Sequence, residues 1–394
     1  MRTCVCRFAI LAAVVTAASF HPALAEPPTP AGAPPSPPAA VSARAPESPA
    51  GQPPLSQAEA LQAIDREVSE SAAADTFSGV VVVAQSEGKV YERAVGFADQ
   101  AAKLPNRVDT KFNLGSINKL FTKLAIAHLA QEGKLKLDDR LIQHLPDYPN
   151  RAVAEQITLR QILDHRSGLG DIFGPRFEKA PHDLRTLKDF LALFADQPLL
   201  FPPGTKEQYS NAGYIVLGLV VERLSGKSYY DAVKEWILTP AGMTDTDAYA
   251  FDAAVPNRAV GYTRPDFDGP QNPGKEMRHS NTGSLPGRGS SAGGGFSTAP
   301  DLLRFAQALR ADKLLSFAWT DWVLGGPEPG AGSAARPNAA HHGGLGIAGG
   351  APGINAALEI DLDHDRTVIV LGNYDPPNAM AMARRVRQIL ARVR

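Results

Sequence analysis

The chain has 394 residues, with 40 Lys and Arg against 41 Asp and Glu, and 44% of its residues are hydrophobic. Balanced charge excludes a nucleic-acid partner, which needs a basic excess to displace counterions, and the apolar content excludes collagen-like and wholly disordered classes. Its two cysteines, Cys4 and Cys6, sit together at one terminus and make neither a disulfide framework nor a four-ligand zinc site.

Residues 1–25 read as a secretory signal peptide. Arg2 and Arg7 give a positive start, Phe8 to Phe20 is nearly all apolar, and Ala23-Leu24-Ala25 fits the small-residue cleavage rule. The apolar run falls short of the roughly 20 residues that span a bilayer. Cleavage after Ala25 removes both cysteines and leaves a thiol-free chain, suited to an oxidising periplasmic or secreted setting, with no stable membrane insertion. Residues 26–54 hold 11 of the 33 prolines and almost no large apolar side chain. Such a segment cannot bury enough surface to offset chain entropy, so an extended spacer is expected.

The folded domain is expected over 55–394. Ser56-Gln57-Ala58-Glu59 is a capping-box pattern that opens a helix to about Ala73. Gly79–Ser86 and Lys89–Ala98 read as a Val-rich β-hairpin turning at Glu87-Gly88. From Ser116 to about Pro240 the pattern is mostly helical, broken by Pro-Gly loops such as Phe201-Pro202-Pro203-Gly204. Asn272 to Gly295 reads as a Gly/Ser/Pro loop, and Thr298-Ala299-Pro300-Asp301 starts another helix. A second hairpin, Asn355–Asp361 with Thr367–Tyr374, turns around Asp363-His364-Asp365, and a last basic helix runs from Asn378 to Val393. Strands at both ends and helices between predict an α/β fold. One antiparallel sheet is built from both chain ends and flanked by helices, with a mostly helical domain inserted at about 116–300. The cleft between the two parts is the expected site.

Ser116-Ile117-Asn118-Lys119 is S-x-x-K at the start of a helical pattern, which puts both side chains on one face. The helix N-terminus favours negative charge at the serine oxygen. Ile117, Leu120, Phe121 and Leu124 make the helix apolar almost all round, so Lys119 should be desolvated and available as a neutral base. Tyr209-Ser210-Asn211 is a Y-x-N after a Pro-Pro-Gly turn. A phenol near a lysine can become a phenolate and shuttle protons, and Asn211 could donate to a substrate amide. Decoys of both patterns occur, Ser86-Glu87-Gly88-Lys89 in the hairpin turn and Tyr148-Pro149-Asn150 in a loop. Neither has a supporting helix.

In this context Phe112 to Lys119 resembles the nucleophile segment of the penicillin-recognising serine enzymes, and most of all their class C β-lactamase-related branch of D,D-peptidases and esterases. Gly133 to Asp139, Leu163-Asp164-His165-Arg166-Ser167-Gly168-Leu169, Tyr209 to Gly218, Pro240 to Thr246, Gly293 to Asp301 and Gly350 to Asn355 continue the resemblance in order, over about Phe77 to Tyr374. It implies a β-lactamase/transpeptidase-like fold with no metal and no organic cofactor. Ser116 is then the nucleophile, Lys119 and Tyr209 handle its proton, and Asn211 touches substrate.

The third family motif is where this chain departs. It is usually a Lys or His followed by Thr-Gly or Gly-Gly on a sheet-edge strand, six residues before a Gly. Counting back from Gly353 lands on Ile347-Ala348-Gly349, without the basic residue, while His342-Gly343-Gly344 sits five residues too early. Either a bulge brings His342 into place or the enzyme works without that side chain; the second is favoured. The backbone role survives, with Gly350 N–H beside Gly349 pairing with Ser116 N–H as an oxyanion hole. Recognition of a substrate carboxylate is put in doubt, and Arg288 or Arg278 is a candidate replacement.

Rival patterns are weaker. Gly289-Ser290-Ser291-Ala292-Gly293 matches G-x-S-x-G but lacks the strand before and the helix straight after. Gly226-Lys227-Ser228 lacks the first P-loop glycine, because position 221 is Val, and Gly226 reads as a helix C-cap. His341-His342 reads as a solvated loop. The expectation is an exported serine hydrolase that acts through an acyl-enzyme on a small-molecule ester, amide, β-lactam or peptide. The alternative is a catalytically silent protein of the same fold that binds or senses cell-wall peptide or β-lactam.

Overall fold

A computed structural model describes residues 53–393 apart from 87, 268, 270, 271, 273 and 331–339. The expected signal peptide, both cysteines and nearly all of the expected spacer lie outside the described residues.

Five strands form the main sheet: β1 (Gly79–Gln85), β2 (Gly88–Val95), β3 (Gly344–Ala351), β4 (Ile354–Asp361) and β5 (Arg366–Gly372). Their order is β2-β1-β5-β4-β3, every pair antiparallel, so the N-terminal hairpin docks on the C-terminal meander. The seam is Gly79 opposite Gly372 through Ala84 opposite Thr367. β1 is valine from Val80 to Val83 and is buried on both faces, as a central strand must be.

Alternation along the strands sorts the core into two layers. Val81, Val83, Val368 and Val370 face α1 (Gln57–Ala73) and the C-terminal helix, meeting Ile64, Val68, Met382 and Val386. Val80, Val82, Leu358, Ile369 and Leu371 face the other way and join Ile117, Phe121 and the helical region in one continuous core. Each fully buried Val or Ile contributes about 2 kcal/mol of transfer free energy. The Ser56–Glu59 capping box is formed as the sequence predicts, satisfying two orphan donors at the start of α1.

Two helices in the core matter for function. α2 (Asn118–Gln131) follows a 3-10 turn at Gly115–Ile117 and is buried on nearly every side. α3 (Asn211–Ser225) is N-capped by Ser210, whose side chain accepts from Gly213 N, and ends at Gly226 in the left-handed conformation.

One glycine-rich stretch forms a strand against its local propensity. Gly344–Ala351 is strand β3 at the sheet edge. It pairs with β4 from Gly344 opposite Asp361 to Ala351 opposite Ile354. Glycine has low strand propensity, so the β4 ladder supplies what the local sequence does not.

Candidate active site

The helix pair and the sheet edge meet at Ser116. Gly115 has φ +49 and its N–H donates to Asn113 Oδ1 at 2.9 Å, which turns the chain so that Ser116 emerges at the head of α2. The edge strand comes very near this turn. A Cβ on Gly349 would stand 1.9 Å from Leu114 O and 2.8 Å from Ser116 N, and a Cβ on Gly115 would stand 3.0 Å from Gly350 N. Glycine at 115 and 349 is therefore what lets the strand edge lie against the serine turn. The Ser116 and Gly350 amides end up on the same small patch.

Two side chains converge on the serine oxygen. The Tyr209 phenol donates to Ser116 Oγ at 2.6 Å, and Lys119 Nζ lies 3.2 Å from the same atom. Lys119 Nζ is also 2.6 Å from Asn211 Oδ1 and 2.6 Å from Ala292 O, both pure acceptors. A neutral amine has two hydrogens and one lone pair. In that form the two short contacts take the hydrogens and leave the lone pair for Ser116, whereas the ammonium form donates to all three oxygens. Burial favours the neutral form, lowering the lysine pKa from 10.5 to about 7 against the opposing pull of Asp171. Tyr209 moves the other way: burial raises its phenol well above the usual range, outweighing the Ser116 hydrogen bond. The phenolate expected from sequence is thus replaced by a protonated phenol that donates.

Tyr209 has its own support. His165 stacks on its ring at 4.6 Å between centroids, and His165 Nδ1 accepts from Ser210 N at 3.1 Å. Burial, with Lys119 adding to it, lowers the His165 pKa to about 4, so the imidazole is neutral and free to accept. Asn211 Nδ2 donates to both carboxylate oxygens of Asp171, at 3.0 and 2.9 Å. Sequence reasoning missed Asp171 altogether, although it follows the quoted Leu163–Leu169 stretch by two residues.

Register places the two segments weighed for the third motif. Ile347 lies in β3 opposite Leu358, two residues before Gly349 and so on the same face, and it packs against the main core. His342 lies before the strand, its side chain 83% exposed and 3.3 Å from Asp363. No bulge brings it to the serine. His341 corrects the solvated-loop reading: it is buried between Asp312 and Asp321 and stacked on Phe317. The two arginines offered as replacements are engaged elsewhere. Arg278 lies over the Tyr374 ring and pairs with Asp75, and Arg288 lies over Tyr230 and donates to Ala248 O.

The rivals fall to burial and context. Ser291 of the G-x-S-x-G pattern is fully buried against Gly218 and precedes a short strand, Phe296–Ser297. The decoy Ser86 binds Asp365, Lys89 pairs with Glu92, and Asn150 caps a short helix. Among the described residues no cluster of His, Cys, Asp and Glu has the makings of a metal site.

The Beta-lactamase family model matches residues 64–392. The chain belongs to the Beta-lactamase family. Its members among the relatives include penicillin-binding proteins and an esterase, so this is a family of serine hydrolases. The chain is 29% identical to penicillin-binding protein 4* of Bacillus subtilis over 76% of its own length and 68% of that protein. It is 33% identical to esterase EstB of Burkholderia gladioli over 59% of its length and 66% of that protein. The chain thus spans about two-thirds of both curated relatives. A crystal structure of a penicillin-binding protein from Bacillus halodurans superposes with a TM-score of 0.67 at 30% identity, covering 83% of this chain and 98% of that one. The α/β fold with its antiparallel sheet is the β-lactamase/transpeptidase fold that the sequence predicts. Among the described residues no helix is long and apolar enough to cross a membrane.

Proposed function

We propose that this chain is an exported serine hydrolase that cleaves small esters or amides through an acyl-enzyme on Ser116. The observation that carries the reading is the convergence of Lys119 Nζ and Tyr209 Oη on one serine oxygen. Ser116 Oγ attacks the substrate carbonyl as its proton passes to neutral Lys119. The oxyanion formed at the carbonyl oxygen accepts from Ser116 N–H and Gly350 N–H. As the tetrahedral carbon collapses, the bond to the leaving group breaks, and that group takes the Tyr209 phenol proton. The Lys119 ammonium returns a proton to Tyr209. Water then attacks the ester of Ser116 with Lys119 again taking its proton; the bond from the acyl carbon to Ser116 Oγ breaks, Lys119 returns the proton to that oxygen, and the acid leaves.

Substrate choice follows from Ile347. Ile347 is the apolar residue that the resemblance aligns with the family's basic residue, and His342, Arg278 and Arg288 are engaged by other partners. Neutral esters or small amides are therefore favoured over penicillins and D-Ala-D-Ala peptides. The similarity to an esterase supports the same side. Export rests on residues 1–25.

A hydrolysis panel tests the substrate class: short p-nitrophenyl esters, nitrocefin and a D-Ala-D-Ala peptide, on wild type and Ile347→Lys. The wild type should turn over the esters in preference. A lysine at 347 should raise nitrocefin turnover relative to the esters by about tenfold, through a charge-assisted contact to the carboxylate. A wild type that prefers nitrocefin would overturn the ester assignment. No turnover of any of the three would favour the silent binder.

A further inference from the structure

Asn211 is the residue in the cleft whose orientation leaves no freedom. An amide presents one acceptor oxygen and one nitrogen with two donor hydrogens. Here Oδ1 meets Lys119 Nζ at 2.6 Å, and Nδ2 meets Asp171 Oδ1 and Oδ2 at 3.0 and 2.9 Å. A flip would set two donors against each other at the lysine and three acceptor oxygens together at the aspartate. Asp171 is itself fixed, because its Oδ1 accepts from Ile172 N at 2.7 Å and Phe173 N at 3.3 Å. The loop that follows Leu169 therefore aims a carboxylate into the cleft from behind Asn211.

That carboxylate competes with substrate. A substrate bearing an amide on its acyl side would offer Asn211 Nδ2 a neutral carbonyl oxygen. Asp171 offers a charged one, and hydrogen bonds to ionised acceptors are roughly twice as strong as neutral ones. The charged acceptor keeps the N–H that faces it. Resting on the hydrolase reading above, we infer that Asp171 is a specificity-determining positioning residue: it holds the Asn211 amide to the service of Lys119 and takes the N–H that faces it, so that the enzyme gains little from an acyl-side amide and is suited to simple acyl esters. Asp171 also sits close enough to Lys119 to favour its charged form, so removal of its charge has a second, independent consequence at the base.

The test compares p-nitrophenyl acetate with N-acetylglycine p-nitrophenyl ester, each corrected for its alkaline hydrolysis rate. The esters share a leaving group and differ in the acyl-side amide. Wild type should show no preference for the amide-bearing ester. Asp171→Asn keeps an oxygen for Ile172 N and drops the charge. It should raise the ratio of kcat/KM, N-acetylglycine ester over acetate, by about tenfold, and move the acidic limb of the pH–rate profile to lower pH. Asp171→Ser, which also keeps a short acceptor, should move both readouts the same way and stands in if the first variant fails to fold. An equal loss on both esters with an unmoved limb would overturn the inference, since a residue that only braces its loop does that. A wild-type enzyme inert towards both esters is a different result: it would overturn the hydrolase reading and this inference with it.

Discussion

Tyr209 donates its phenol hydrogen to Ser116 Oγ at 2.6 Å, and Lys119 Nζ, 3.2 Å from the same oxygen, lies 4.7 Å from the centre of the Tyr209 ring. The pair is held by two separate helices, Ser116 at the head of α2 and Tyr209 just before the N-cap of α3. Burial drives the two proton carriers apart, with the lysine down to about 7 and the tyrosine up. One is ready to take a proton and the other to give one, as an addition followed by expulsion of a leaving group requires.

Lys119 should set the pH dependence. The amine acts only when neutral, so kcat/KM should rise with pH through about 7 and level above it. Lys119→Ala should lower kcat/KM by about 10³-fold, the usual scale of a general base, with the protein still folded by circular dichroism. A flat profile between pH 5 and 9, or an unchanged kcat, would remove the lysine from the mechanism.

Gly349 should tolerate no side chain. Its Cβ would stand 1.9 Å from Leu114 O, a backbone atom that cannot rotate away. Gly349→Ala must push the edge strand from the serine turn, at an overpacking cost of about 1–3 kcal/mol. The Gly350 amide moves with the strand, so kcat should fall about 100-fold, as for loss of one oxyanion donor. Steady-state rates beside thermal melts check this. A melt shifted down with kcat unchanged would mean that the strand edge has no part in turnover.

The edge strand shows why part of the site was hidden in the sequence. The Ser116, Lys119 and Tyr209 set was legible because S-x-x-K and Y-x-N are local and sat on readable helices. β3 was marked only by the resemblance, because only Ile347 in Gly344–Ala351 is β-branched and the strand exists through its ladder to β4. Asp171 was hidden for another reason. Its partner Asn211 lies 40 residues away in sequence, and nothing in the loop marks an aspartate that will face it. The two-ended sheet was legible from its valine runs, while the choice between Ile347 and His342 needed the register.

His165 predicts an acid weakness. Its pKa falls from 6.5 to about 4 in the fold. Between those values the unfolded chain binds a proton that the folded one refuses. Stability is therefore lost as pH falls from 6.5 towards 4, by about 3 kcal/mol in all. His165 has φ +55, which asparagine tolerates, and an Asn Oδ1 can replace Nδ1 as acceptor for Ser210 N. His165→Asn should flatten the melting temperature between pH 7 and 4.5 relative to wild type. Parallel curves for the two proteins would show that this histidine is not the acid-sensitive group.

Acylation of Ser116 is the most direct measurement. Wild type and Ser116→Ala are treated with a fluorophosphonate and examined by intact mass, then by peptide mapping. The wild type should gain one adduct, located on the peptide that carries Ser116, and Ser116→Ala should gain none. No adduct on the wild type, or an equal adduct on both proteins, would contradict a nucleophilic Ser116.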